Sequence, residues 1–188
     1  LNTFYNEFLI PKKNYVNWYS RKYPSQKAPE PRSDAEILAY HELLNREVKR
    51  RGMLLQAGGH GFNARFLGNP EIECDHEGVI TIPDEKLEFL ALVNGERLKG
   101  RTPTTTELCY SRPDVQQGLA QIVADYAEKR PEVDCLHFWF DDRPNNSCEC
   151  ERCRDRKPSE FFVMILNGID RELTRRDGDR GLQLSLQV

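Results

Sequence analysis

The sequence contains no uninterrupted apolar run of the roughly 18 residues that a membrane-spanning helix needs. It has no excess of positive charge either: 27 Lys and Arg stand against 30 Asp and Glu, a net charge of -3. The two signs are interspersed, so there is no electrostatic case for a nucleic acid. No phosphate-cradling fingerprint is present, because Gly58-Gly59-His60-Gly61-Phe62 has neither the G-x-G-x-x-G nor the Walker spacing. The opening run LNTFYNEFLIPKK lacks a basic segment followed by an apolar one, so it is not a signal peptide. Methionine is scarce, at two residues, and neither opens the chain.

What is present suits a globular domain. The chain has 188 residues, 38% apolar and 30% charged, enough to bury a core. The strand-like runs LNTFYNEF and GLQLSLQV stand at its two ends, where isolated strands would lack partners. The expectation is a single partial domain over 1–188, a fragment of a longer protein.

In chain order, Leu1 to Phe8 reads as a strand, with Asn6 and Glu7 near its exit. A Lys-, Tyr- and Pro-rich loop follows over 11–32. Ser33 and Glu36 make a capping box, and the helix behind it carries Ile37, Tyr40, His41, Leu44 and Val48 at helical spacing until Gly52 stops it. Met53 to Ala57 reads as a short strand that runs into the glycine cluster around His60. A long connection from Asn63 to about Arg112 contains a small strand (Val79–Ile82), an apolar patch (Leu87–Val93) and an Asn94-Gly95 turn. Pro113 and Asp114 open a second helix, with Val115, Leu119, Ile122 and Tyr126 inward and Pro131 beyond its end. Residues 135–140 form an apolar strand. Ser159 begins a third helix on Phe162, Ile165, Leu166, Ile169 and Leu173, and Leu182 to Val188 is the last strand. Strands alternating with helices predict a parallel sheet with right-handed crossovers.

A parallel sheet presents its chemistry at the carboxyl ends of its strands. The unusual residues collect there. Asp141 and Asp142 leave the strand 135–140 as adjacent carboxylates, which alternation sends to opposite faces, so Asp142 is preferred for a site. The plainer alternative is a turn cap and a partner for Arg143. His60 sits between glycines, fit for a substrate hydroxyl or for a backbone bond. His137 reads as a satisfied core histidine and Cys135 as a buried strand cysteine. Trp18, Tyr19, Phe62, Tyr110 and Trp139 are either core or platforms for sugar rings.

Six cysteines are present, three of them as Cys148-x-Cys150-x-x-Cys153. Such crowded thiols suit a metal, and structural zinc wants a fourth ligand. Cys109 is the foremost candidate, with His60 and His76 behind it. Reduced thiols, or a disulfide to Cys109, are the alternatives.

The string FWFDDRPNNSCECERCRDRKPSEFFVMILNGIDREL resembles a family of large, mostly bacterial proteins. The central region of that family is similar to a glycoside-hydrolase TIM barrel related to the α-glucuronidases. The matching positions are Asp142, Cys148, Cys150, Cys153, Ser159 with Glu160, and Leu166 with Asn167. GGHGF (His60) and FLALVNGERLKG followed by ELCYSRPDV (Cys109, Pro113, Val115) resemble it too, so the likeness runs from about Glu36 to the end. The double Asp departs from the pattern, which fixes one acidic residue, and this puts Asp141 in question.

The resemblance implies an α/β fold whose parallel strands and crossover helices are part of a (β/α)8 TIM-like barrel, about four consecutive strands. It implies that Cys109 joins the thiol triplet. It also implies a glycoside hydrolase acting on a poly- or oligosaccharide, with the remaining barrel half supplied by the full-length protein, and it leans towards an extracytoplasmic setting. Hydrolysis needs two carboxyl groups about 5–10 Å apart. Asp142 is the first candidate, then Asp141 and Glu7, with a partner carboxylate on a later strand. His60, Asn6, Trp139 and Asn145 are the expected substrate contacts. No cofactor is required, and a structural zinc on the thiols is the candidate metal. The alternatives are a non-catalytic carbohydrate-binding module and a structural domain with a thiolate metal site.

Overall fold

The structure is a computed structural model. It describes residues 2–6, 10–11, 14–15, 31–68, 71–72, 82–97, 105–140, 145–177 and 183–187. The elements run β1 (Asn2–Asn6), β2 (Ile10–Pro11), β3 (Asn14–Tyr15), β4 (Pro31–Arg32), α1 (Asp34–Arg50), β5 (Gln56–Gly59), α2 (Phe62–Phe66) and β6 (Glu71–Ile72). A 3-10 turn (Asp84–Phe89), β7 (Leu92–Val93), β8 (Glu96–Arg97), α3 (Pro113–Lys129), β9 (Cys135–Trp139), α4 (Pro158–Asp177) and β10 (Gln183–Gln187) follow. No described helix is long and apolar enough to cross a membrane.

The main sheet has the order β1-β5-β9-β10, and each neighbouring pair is parallel. Taken in sequence order without reversal, such strands have crossovers of one hand, which places the connecting helices on one face. The side chains agree. Leu136 and Phe138 of β9 are fully buried. Phe138 packs on Phe62 of α2, and Phe140 stacks on Phe162 of α4 at 4.8 Å between ring centroids. Val115, Leu119 and Val123 of α3 and Ile165 and Ile169 of α4 complete this core.

The local signals act as read. Ser33 Oγ accepts from the Glu36 amide while Glu36 Oε2 accepts from the Ser33 amide, closing both halves of the capping box. Gly52 takes a left-handed φ of 68° behind α1, and its amide donates to Lys49 O. Pro113 opens α3, where its missing N–H costs nothing. Asn94 and Gly95 take φ of 51° and 80° and turn β7 into β8.

Three expectations are corrected. Tyr40 is 58% exposed, because the buried stripe of α1 runs through Asn45 and Val48 and leaves Leu38, Tyr40 and Leu43 outside. The strand expected at Met53–Ala57 lies later, at Gln56–Gly59, with Met53 and Leu54 exposed. Its glycines are strand residues: a Cβ on Gly58 would stand 2.3 Å from the carbonyl oxygen of His137 in β9. The connection from Asn63 to Arg112 also holds more order than a loop, namely α2, the 3-10 turn and the β7–β8 hairpin. The strand expected at Val79–Ile82 lies outside the described residues except for Ile82, which is in no strand.

Asp134 locks the amino-terminal edge of the sheet. Its Oδ2 accepts from Lys49 Nζ of α1 at 2.5 Å and from the Leu55 amide at 2.7 Å. These two bonds hold the carboxyl below the usual carboxylate range, the lysine being the larger cause.

Candidate metal centre and strand-exit surface

Cys148, Cys150 and Cys153 lie in the segment between β9 and α4. The amides of Cys153 and Arg154 both donate to Cys150 O, making a single helical turn. Cys150 and Cys153 are three residues apart on that turn, so they share one face. Cys148 precedes the turn, and its sulfur accepts the Leu92 amide at 3.3 Å. The Glu149 amide donates to Leu92 O, and Glu149 Oε2 accepts from the Asn94 amide, pinning the segment to the β7–β8 hairpin.

Cys109 comes from a different part of the chain. It follows the isolated bridge between Leu90 and Leu108 and precedes α3. Its amide donates to Phe89 O at 2.7 Å, and its carbonyl accepts from Arg112 at 3.1 Å. Its sulfur lies 3.7 Å from that of Cys150 and 3.9 Å from that of Cys153. All four sulfurs lie within 4.8 Å of one another.

These separations exclude a disulfide and leave two of the three alternatives, a metal site and reduced thiols. A disulfide needs about 2.05 Å between sulfurs, and the four cysteines are free thiols. A tetrahedron of thiolates about 2.3 Å from a zinc ion has edges of about 3.8 Å, which the Cys109 distances match. Only Cys150 is partly exposed; the other three are buried. His60 is not a member of the group, and His76 lies outside the described residues.

The electrostatics fit a cation. Hydrogen bonds from the Cys148, Cys150 and Cys153 thiols and from the Ser111 hydroxyl converge on Cys109 and lower its pKa to about 5, the Cys148 bond being the largest cause. That same bond raises the Cys148 thiol, with burial adding to it. Burial pushes the Cys153 thiol up to about 11. One thiolate is therefore stabilised and further ionisation is opposed, which a divalent ion at the centre would reverse. Ser111 Oγ, 3.3 Å from Cys109 Sγ, supports that sulfur from outside.

A second group stands at the strand exits. His60 leaves β5 and Trp139 ends β9; their rings pack edge to face with centroids 5.0 Å apart. Asn6 ends β1 with its Cα in register with Gly58. Asn145 is exposed and holds a left-handed φ of 55°, which Asn tolerates better than most residues. Asp141, Asp142 and Glu7 lie outside the described residues, as do Trp18, Tyr19 and Cys74. Phe62 and Tyr110 belong to the core and not to a sugar platform.

Two features escaped the sequence reading. Asn63 is fully buried, and its Nδ2 donates to Thr106 O and to Tyr110 Oη, both at 2.7 Å. It thus ties the GGHGF turn to the segment that carries Cys109. His137 is half-buried and not core, and its Nε2 lies 3.1 Å from Gln56 Oε1 on β5. The available signal was the alternation Cys135-x-His137-x-Trp139, which sets three non-aliphatic residues on one face of the strand. Comparison with protein-family models, with curated proteins and with solved structures finds no match to this chain.

Proposed function

We propose that Cys109, Cys148, Cys150 and Cys153 hold a structural zinc ion, which ties together the loops beside the active face of a carbohydrate-acting α/β domain. The convergence of four sulfurs within 4.8 Å, from segments 41 residues apart, carries this reading. Four protein ligands close the coordination sphere, so such an ion braces the loops and has no open position for substrate. Metal analysis of the purified protein tests it. One zinc per chain is expected, with intense thiolate-to-metal absorption on cobalt exchange, and both are lost in Cys150→Ser. Metal-free protein with four freely titrating thiols would refute it.

The glycoside-hydrolase reading is favoured by the strand exits. Sequential parallel strands with their helices on one face are what a barrel wall requires, so part of a (β/α)8 barrel is the proposed architecture. The His60–Trp139 pair offers a polar group beside an aromatic face, as sugar sites do. Asp142, just beyond β9, is the proposed acid or nucleophile, with Asp141 and Glu7 behind it, and its partner carboxylate comes from the other half of the barrel. Glycosidase assays on the full-length protein against Asp142→Asn test this role. Unchanged turnover removes Asp142 from catalysis, and sugar binding without turnover identifies a binding module.

A further inference from the structure

The sheet face turned away from the helices carries a polar pattern that the zinc site leaves unused. Alternation puts Cys135, His137 and Trp139 of β9 on that face, opposite the buried Leu136 and Phe138. Parallel strands covered by core on both sides are apolar at both parities. Here the register sets Gln56, Cys135 and Gln183 in one row and Gly58, His137 and Ser185 in the next, with Trp139 beside Gln187. No lysine, arginine or carboxylate stands in these rows.

Two details make this a built surface. Gly58 stands in register with His137 and has no side chain, and a Cβ there would come within 2.8 Å of His137 Cβ. The imidazole therefore has room to reach past it to Gln56 Oε1 at 3.1 Å. An amide oxygen only accepts, so Nε2 carries the proton and the ring is held in one orientation. One row nearer the strand exits, the Trp139 and His60 rings meet edge to face at 5.0 Å.

We infer that Gln56 and His137 form the floor, and Trp139 with His60 the wall, of a binding site for a neutral polyhydroxylated ring. Adjacent ring hydroxyls each donate and accept, which suits an oriented amide–imidazole pair. The apolar C–H face of the same ring suits the indole. With no lysine, arginine or carboxylate in the described rows, an anionic ligand gains nothing from this floor. The inference rests on the carbohydrate reading above and deepens it, since it names the groups that recognise the sugar.

The test follows the histidine ring signals and tryptophan fluorescence of the zinc-loaded protein by NMR and fluorimetry. The probes are methyl β-glucopyranoside, methyl β-xylopyranoside, methyl α-galactopyranoside and myo-inositol, with sodium glucuronate as the anionic comparison. The expected result is saturable binding of at least one neutral probe, with the His137 signal shifted and glucuronate no tighter. Gln56→Met should weaken that binding about tenfold, the worth of one good hydrogen bond. If binding is lost in Trp139→Ala while Gln56→Met and His137→Gln bind like the wild type, this floor is wrong and the carbohydrate reading survives. If a variant fails to fold, an unmoved His137 signal in the saturated wild type overturns the inference equally. If the wild type binds no probe, the inference falls together with the carbohydrate reading.

Discussion

Replacing Gly58 with alanine tests the closeness of β5 and β9, on which the strand-exit surface depends. The new Cβ would stand 2.3 Å from His137 O and 2.8 Å from His137 Cβ. A carbon and a carbonyl oxygen settle at about 3.3 Å or more, so the strands must part by about 1 Å at the Gly58–His137 step. That weakens the two ladder bonds around the step, each worth about 1 kcal/mol. Steric crowding against backbone, which cannot rotate away, adds at least about 1 kcal/mol. The sum is about 3 kcal/mol, or a fall in melting temperature of about 6–12 °C for a domain of this size. Gly52→Ala is the matched control. Its φ is 68° with nothing within 4 Å of the added Cβ, so only the left-handed conformation is penalised, by about 1 kcal/mol. Calorimetry of both variants beside the wild type reads the difference. Equal losses in the two would refute the close approach, and with it the room that lets His137 reach Gln56.

Three further outcomes follow from single contacts. In Gly118→Ala the added Cβ would meet Phe66 Cε2 at 2.4 Å; the ring can tilt but must leave its place on α3, so urea unfolding should show a loss of about 1–2 kcal/mol. Asp134 is held below the usual carboxylate range by Lys49, so its stabilisation is present above the ordinary pKa of about 3.9 and fades as pH falls through the lowered native value. Asp134→Asn should therefore cost up to about 1 kcal/mol at neutral pH and nothing in strong acid; a pH-independent difference in unfolding free energy would sink this account. Removing metal with a strong chelator should lower the melting temperature of the wild type and leave Cys150→Ser unchanged, because only the wild type has a complete thiolate set to lose.

The local elements of this protein were legible in its sequence because their causes are local. The Ser33–Glu36 box, Pro113 and the Asn94-Gly95 turn each act within a few residues, and each lies where its chemistry put it. The Cys150–Cys153 spacing likewise needs only one helical turn to bring two sulfurs to one face. The start of β5 was misplaced because apolar Met53 and Leu54 look like strand while two glycines look like loop. Gly58 fits the strand because it has no Cβ, for which His137, far along the chain, leaves no space.

By itself, then, the sequence determined the alternation of strands and helices, the caps and turns, and the crowding of three thiols in one loop. The tertiary structure decided the rest. It brought Cys109 to within 3.7 Å of Cys150 through the Leu90–Leu108 bridge and the β7–β8 hairpin. It joined His60 to Trp139, and it moved His137 from an expected core position to a polar face beside Gln56. The reason is range. Periodicity and capping are written into neighbouring residues, whereas register and loop convergence depend on contacts between segments dozens of residues apart, which only the folded sheet specifies.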